Sequence, residues 1–195
     1  MKPVYRIALF LALLLSQQAF SQMTIVVMGS STAFGAGASV YDSAWVGRLT
    51  TYGNRNASDG KDTTIYNIAA SGYDTYQEMP GWYTPPSGRP TPDMDYNVTK
   101  ALSFNPDVVV INLPSNDISY GYSKEEMICN LRIMYNTINA SGAHCFVATP
   151  QPRNDFPQDY RDSLLALVDS VNISFGLYAI DFWTPIVTTD GSNML

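Results

Sequence analysis

From residue 22 onward, short continuous apolar runs alternate with stretches whose apolar positions recur at helical spacing. The runs at Ile25–Met28, Thr63–Ile68, Asp107–Leu113, Cys145–Ala148 and Leu177–Ile180 have strand length and little polar interruption, the pattern of strands covered on both faces. Between them, Ser43–Gly53 carries Trp45, Val46 and Leu49 at helical spacing, and Tyr96–Phe104 is a second helix candidate. Ser123-Lys124-Glu125-Glu126 is a capping box that opens a helix running to about Ala140. Leu164, Leu165, Leu167, Val168 and Val171 mark a further helix over Pro157–Ser174. This order of strands and helices predicts an α/β fold of three layers, α/β/α, around a parallel, flavodoxin-like sheet. With no internal repeat and no interdomain linker, a single domain is expected over residues 22–195.

Residues 1–21 break the pattern. Lys2 and Arg6 precede and flank an apolar run, Ile7–Leu15, and Ala19-Phe20-Ser21 supplies small residues at the spacing read by a signal peptidase. A signal peptide ending at Ser21 and a secreted or periplasmic protein are the expectation. The apolar run is too short to cross a bilayer. Loss of the leader removes two positive charges and takes the net charge from −6 to −8. Binding to nucleic acid rests largely on Lys and Arg neutralising phosphates, so an acidic chain argues against that class of partner.

Three polar blocks follow three of the strand-like runs. Gly29-Ser30-Ser31-Thr32 follows the first, Ala69-Ala70-Ser71-Gly72 the second and Leu113-Pro114-Ser115-Asn116-Asp117 the third. In an open parallel sheet, ligands bind just past the carboxyl ends of the strands, so all three blocks are expected to border one crevice. Taken singly, Gly-Ser-Ser after a strand is a capped turn and Asn-Asp is a turn that bonds its own backbone. Together and in this order they resemble the SGNH, or GDSL-like, hydrolase family, with Gly-Ser-Ser-Thr-Ala and the later Ser43-Ala44-Trp45-Val46 looking closest to its carbohydrate-esterase-like branch. The resemblance implies that Ser31 is the nucleophile attacking an ester, and that the Gly72 N–H and the Asn116 side chain, with the Ser31 N–H, bind the oxyanion. Ser30 stands where the family has Asp, and Pro114 where it has Gly.

A serine hydroxyl is a weak nucleophile at neutral pH and needs an adjacent base. The family carries Asp and His in a late Asp-x-x-His block, whereas the one histidine here is His144, at the amino end of the fourth strand-like run and on the wrong side for the crevice. Asp190-Gly191-Ser192-Asn193 has the spacing of the block with Asn in the histidine position. The expectation is a chain truncated before its last block and therefore inactive, or nearly so, as it stands.

The remaining chemistry is sparse. With 46% hydrophobic and 14% charged residues the chain is able to bury a full core. Cys129 and Cys145 have no Cys-x-x-Cys spacing and no second histidine, so no metal site and no cofactor are expected; a disulfide and two buried thiols are both compatible with the sequence. Gln151 and Arg153, after the fourth run, reach the crevice rim as substrate-binding candidates, although Arg153 is also spaced to pair with Asp155. The proline-rich stretch Pro80–Pro92, with Trp82, Tyr83, Arg89 and the preceding Tyr73 and Tyr76, offers aromatic faces for sugar rings or else simply packs the loop onto the body. The expected function is a secreted serine esterase that deacetylates carbohydrate. A lysophospholipase or thioesterase of the same family, and a saccharide-binding protein that has lost the Asp/His pair, are the alternatives.

Overall fold

The computed structural model describes residues 22–56, 62–113 and 115–187; the leader, Pro114 and the Asp190–Asn193 block lie outside them. Five strands form one sheet, β1 (Met23–Gly29), β2 (Thr63–Asn67), β3 (Val108–Asn112), β4 (His144–Ala148) and β5 (Ala179–Ile180), in the order β2-β1-β3-β4-β5. Every pairing is parallel. The order reverses at β1, so β1 and its neighbours β2 and β3 flank the switch point at which a crevice opens in such sheets. The strand-like runs all become strands; the first and fourth are longer than expected, the second and third are trimmed at their ends, and the fifth is reduced to two residues because Gly176–Tyr178 turns as a 3-10 helix first.

The pleat of β1 and β3 sends alternate residues into two different cores. Val26, Met28, Val109 and Ile111 pack with Cys145 and Val147 against three helices: α3 (Val98–Leu102), α5 (Lys124–Ala140) and α6 (Gln158–Phe175). These helices supply Val98, Leu131, Met134, Ile138, Leu164 and Val171, all fully buried. Val27 and Val110 point the other way, toward Ala33 of α1 (Ser31–Phe34) and Val46 of α2 (Trp45–Asn56). Burying such side chains stabilises the fold by about 1.5–3 kcal/mol each before chain entropy is set against it. The fold is thus the expected three-layered α/β/α arrangement.

Local signals act as the sequence indicates. Ser123 accepts the Glu126 N–H while the Glu126 carboxylate accepts the Ser123 N–H, the reciprocal cap that starts α5. Asn97 caps α3 by accepting the Lys100 N–H at 2.9 Å, and α3 is shorter than the expected Tyr96–Phe104 helix. Cys129 is exposed on α5 and Cys145 is buried in β4, both as free thiols.

Candidate active site

The turn after β1 is built around a position that excludes a side chain. Gly29 has φ +152, and a Cβ there would lie 2.4 Å from the Asn112 carbonyl oxygen of the neighbouring strand. That close approach lets the Ser30 N–H donate to the same carbonyl at 3.2 Å, which buries Ser30 and places Ser31 at the first position of α1. On the other flank the Ala70 N–H donates to the Gly29 carbonyl at 2.9 Å. The three strand ends are therefore laced together, and Ser31, Gly72 and Asn116 follow them in adjacent loops. Ser31 is half-buried, and its hydroxyl makes no hydrogen bond among the described residues. Gly72 is exposed with φ +86, a left-handed conformation that glycine adopts without strain, and its N–H has no acceptor among the described residues.

Asn116 lies in α4 (Ser115–Ser119), and its neighbours tie this short helix to the loop after β2 rung by rung. The Tyr120 hydroxyl donates to the Gly72 carbonyl at 3.1 Å, and the Asn116 amide to the Tyr73 carbonyl at 2.8 Å. The Tyr122 hydroxyl donates to the Asp74 carboxylate at 2.7 Å. Thr75 donates its N–H to both Asp117 oxygens at 3.2 Å and its hydroxyl to one of them at 2.5 Å, while itself accepting from Asn130 at 2.8 Å. Residues 72 to 75 are thus each held by a different side chain of the segment 116–122. Such a network fixes the spacing between the Gly72 N–H and the Asn116 amide, which is what a preorganised anion site requires.

Beneath this network lie three buried carboxyls, Asp74, Glu78 and Asp117. Burial pushes Asp117 up to about 7 against the pull of the Thr75 hydrogen bonds, with Asp74 adding to the rise. Complete burial raises Glu78 well above its ordinary value; the Gly29 N–H faces its carboxyl without reaching full hydrogen-bond geometry, and Asp117 and Asp74 reinforce the rise. A buried carboxyl with no cation beside it keeps its proton, so Glu78 sits neutral below the turn that carries Ser31.

The other candidates fall differently. His144 is exposed at the first residue of β4, with its N–H on the Asp107 carbonyl at 2.8 Å, and so lies at the end of the sheet opposite Ser31. Gln151 follows β4 and its side-chain nitrogen is buried with no hydrogen-bond partner among the described residues. Arg153 closes on Asp155 through two bonds of 2.8 and 2.5 Å and lies 4.4 Å from the Phe156 ring centre, so its guanidinium is already occupied. Just before the 80–92 loop Tyr76 is buried and bonded to Glu126, and within the loop Arg89 grips the same Glu126 at 2.6 and 2.9 Å while lying 3.9 Å over Tyr122. These two residues pack the loop onto the body; Trp82, two-thirds exposed, does not. Among the described residues no cluster of His, Cys, Asp and Glu has metal-binding geometry. Sequence reading missed Tyr120, Thr75, Asp117 and Glu78. Their partners lie over forty residues away in sequence, or at a strand end, and no local motif marks them.

The sequence profile of the GDSL-like Lipase/Acylhydrolase family matches residues 27–193. The chain belongs to this family. Its members' folds agree with the one seen here: AlinE4, an SGNH-hydrolase family esterase, superposes with a TM-score of 0.60 at 15% identity over 86% of this chain and 80% of its own. The psychrotrophic esterase EstA from Pseudoalteromonas sp., solved with monoethylphosphonate as inhibitor, gives 0.57 at 16% identity over 88% and 87%. A lipase/acylhydrolase from Enterococcus faecalis gives 0.55 at 20% identity over 88% and 87%. At such identities the likeness is one of fold. No curated protein matches the sequence significantly. The family match runs through Asp190 and Asn193, the positions with Asp-x-x-His spacing.

Proposed function

We propose that this SGNH-family protein hydrolyses carboxylic esters at Ser31. The carrying observation is the laced set of strand ends just past which Ser31, Gly72 and Asn116 lie, with the Ser31 hydroxyl and the Gly72 N–H making no hydrogen bond among the described residues. Ser31 Oγ attacks the ester carbonyl, and the carbonyl oxygen becomes an oxyanion held by the Ser31 N–H, the Gly72 N–H and the Asn116 amide. Collapse expels the alcohol and leaves an acyl-serine, which water cleaves to release the acid and restore Ser31. Each oxyanion donor is worth on the order of 3 kcal/mol of barrier.

The proton of Ser31 needs an acceptor. The sole histidine of the sequence, His144, lies at the far end of the sheet, so turnover is slow in this chain and is limited by the missing base. The preferred ester is an acetylated carbohydrate. Exposed aromatic side chains beside the Gly72–Tyr73 loop, Tyr120 bonded to Gly72 and Tyr96 packed on Tyr73, support that choice. A lipid-directed reading of the same site draws on a cleft of about 410 Å³ beside α4, whose walls mix Ile118, Met127 and Ala166 with Lys124, Asp159 and Ser163. Secretion through the 1–21 leader remains part of the proposal.

The test compares Ser31→Ala with Ser30→Ala on p-nitrophenyl acetate, with folding checked by circular dichroism. Loss of the enzymatic rate in Ser31→Ala alone is expected. An unchanged rate in Ser31→Ala overturns the assignment.

A further inference from the structure

Among the described residues Tyr120 is the one exposed aromatic whose side chain is hydrogen-bonded to the backbone of the oxyanion loop. Its N–H donates to the Asn116 carbonyl at 3.0 Å, so it stands one helical turn beyond Asn116 and on the same face. Both side chains then reach the same two peptide units: Asn116 takes the Tyr73 carbonyl and the Tyr120 hydroxyl takes the Gly72 carbonyl. The ring therefore spans from the end of α4 to the residue that offers the oxyanion N–H. Its orientation is fixed from the side as well, because it packs at 6.0 Å between ring centres on Tyr122, which is itself pinned by its bond to Asp74 and by Arg89. With 54% of its surface exposed, the ring keeps a face open to solvent. A tyrosine that is tethered at its hydroxyl, braced on one side and open on the other loses little freedom when a flat apolar ligand face settles on it.

Resting on the ester-hydrolase reading above, we infer that Tyr120 is a specificity-determining residue: its open face is the platform on which the pyranose ring of an acetylated saccharide stacks while the acetyl group reaches Ser31. A sugar presents the C–H groups of one ring face to such a surface, and its remaining hydroxyls stay in water. A long acyl chain gains no comparable advantage from a single flat ring. The hydroxyl of Tyr120 is spent on Gly72, so the ring and not the phenol is the recognising part.

The experiment uses the full chain with Ser31→Ala, so that no turnover intervenes, and glucose pentaacetate as the probe in saturation-transfer NMR. Transfer to the sugar ring protons is expected in Ser31→Ala, is expected to drop by about three- to tenfold when Tyr120→Ala is added, and should stay within about twofold when Tyr120→Phe is added instead. Unchanged transfer with Tyr120→Ala overturns the proposal. So does an equal loss with Tyr120→Phe, which would leave only the tether to Gly72. In the Ser31 protein, the ratio of kcat/KM for glucose pentaacetate to that for ethyl acetate should fall by a similar factor with Tyr120→Ala, through KM. Failure of the ester-hydrolase reading shows separately, as ethyl acetate turnover that survives Ser31→Ala, while the NMR comparison still decides the platform.

Discussion

The Asn116 side chain donates one of its two N–H groups to the Tyr73 carbonyl at 2.8 Å, which aims the amide and leaves the second N–H for a ligand. A donor positioned in this way acts on charge that develops during reaction. Asn116→Ala is expected to lower kcat by about 10²-fold or more with little change in KM. Steady-state kinetics on p-nitrophenyl acetate check this. A rise in KM alone would instead mark Asn116 as a ground-state contact.

Asp117 and Glu78 give stability a distinctive pH dependence. In the folded protein burial raises Asp117 from its ordinary 3.8 to about 7, so between those values the native state keeps a proton that the unfolded chain has released. Raising pH through that window therefore favours unfolding, and the stability associated with the protonated carboxyl is lost as pH rises toward 7. Glu78 shifts in the same direction and adds to the fall. Glu126, held down by Arg89, acts with the opposite sign, but its contribution changes only as pH falls below the ordinary carboxylate range. Urea midpoints are expected to decline from pH 4.5 to 7.5, with the unfolding free energy falling by an amount on the order of a few kcal/mol. Asp117→Asn and Glu78→Gln should each flatten part of the slope. A midpoint that rises over this range would contradict the assignment.

Gly29→Ala tests the turn that presents Ser31. The added Cβ would meet the Asn112 carbonyl oxygen at 2.4 Å in a backbone region that side chains rarely adopt, so the strand ends must separate. A loss of at least about 1–3 kcal/mol in denaturant unfolding is expected. Gly72→Ala should cost less stability, because nothing lies within 4 Å of its Cβ position and only the φ of +86 opposes the change.

Much of this architecture is legible in the chain. The apolar runs of β1, β3 and β4 are nearly continuous because both faces of each strand are covered, and that covering also fixes a parallel sheet with helices on both sides. The capping box at Ser123 is legible because its two bonds join residues only three apart. The oxyanion scaffold is not, since Thr75 meets Asp117 across forty-two residues and Asn130 across fifty-five. Arg89 illustrates the same limit: its sequence context suits a sugar-binding loop, yet Glu126, thirty-seven residues on, accepts from its Nε and one of its terminal nitrogens. The resemblance of three short blocks, in order, to the SGNH family implies Ser31, Gly72 and Asn116 as one site, and the strands they follow, β1, β2 and β3, are neighbours in the sheet.

His144 separates a histidine that is merely present from one that takes part. Its place at the amino end of β4, away from the turn that bears Ser31, means that His144→Ala should leave the rate of ester hydrolysis unchanged within about twofold. A large loss would show that the base had been mislocated.

The most direct test places a histidine at the position with the family's Asp-x-x-His spacing. Asn193 stands three residues after Asp190, the spacing at which the family carries its histidine, so Asn193→His restores an Asp-x-x-His block within this chain. kcat/KM for p-nitrophenyl acetate is measured for the unaltered protein, for Asn193→His, and for Asn193→His combined with Ser31→Ala. The expected result is a gain of about 10²-fold or more on Asn193→His that disappears entirely with Ser31→Ala. Equal rates with and without Ser31 in the Asn193→His background would contradict the central claim that Ser31 is the nucleophile of an ester hydrolase.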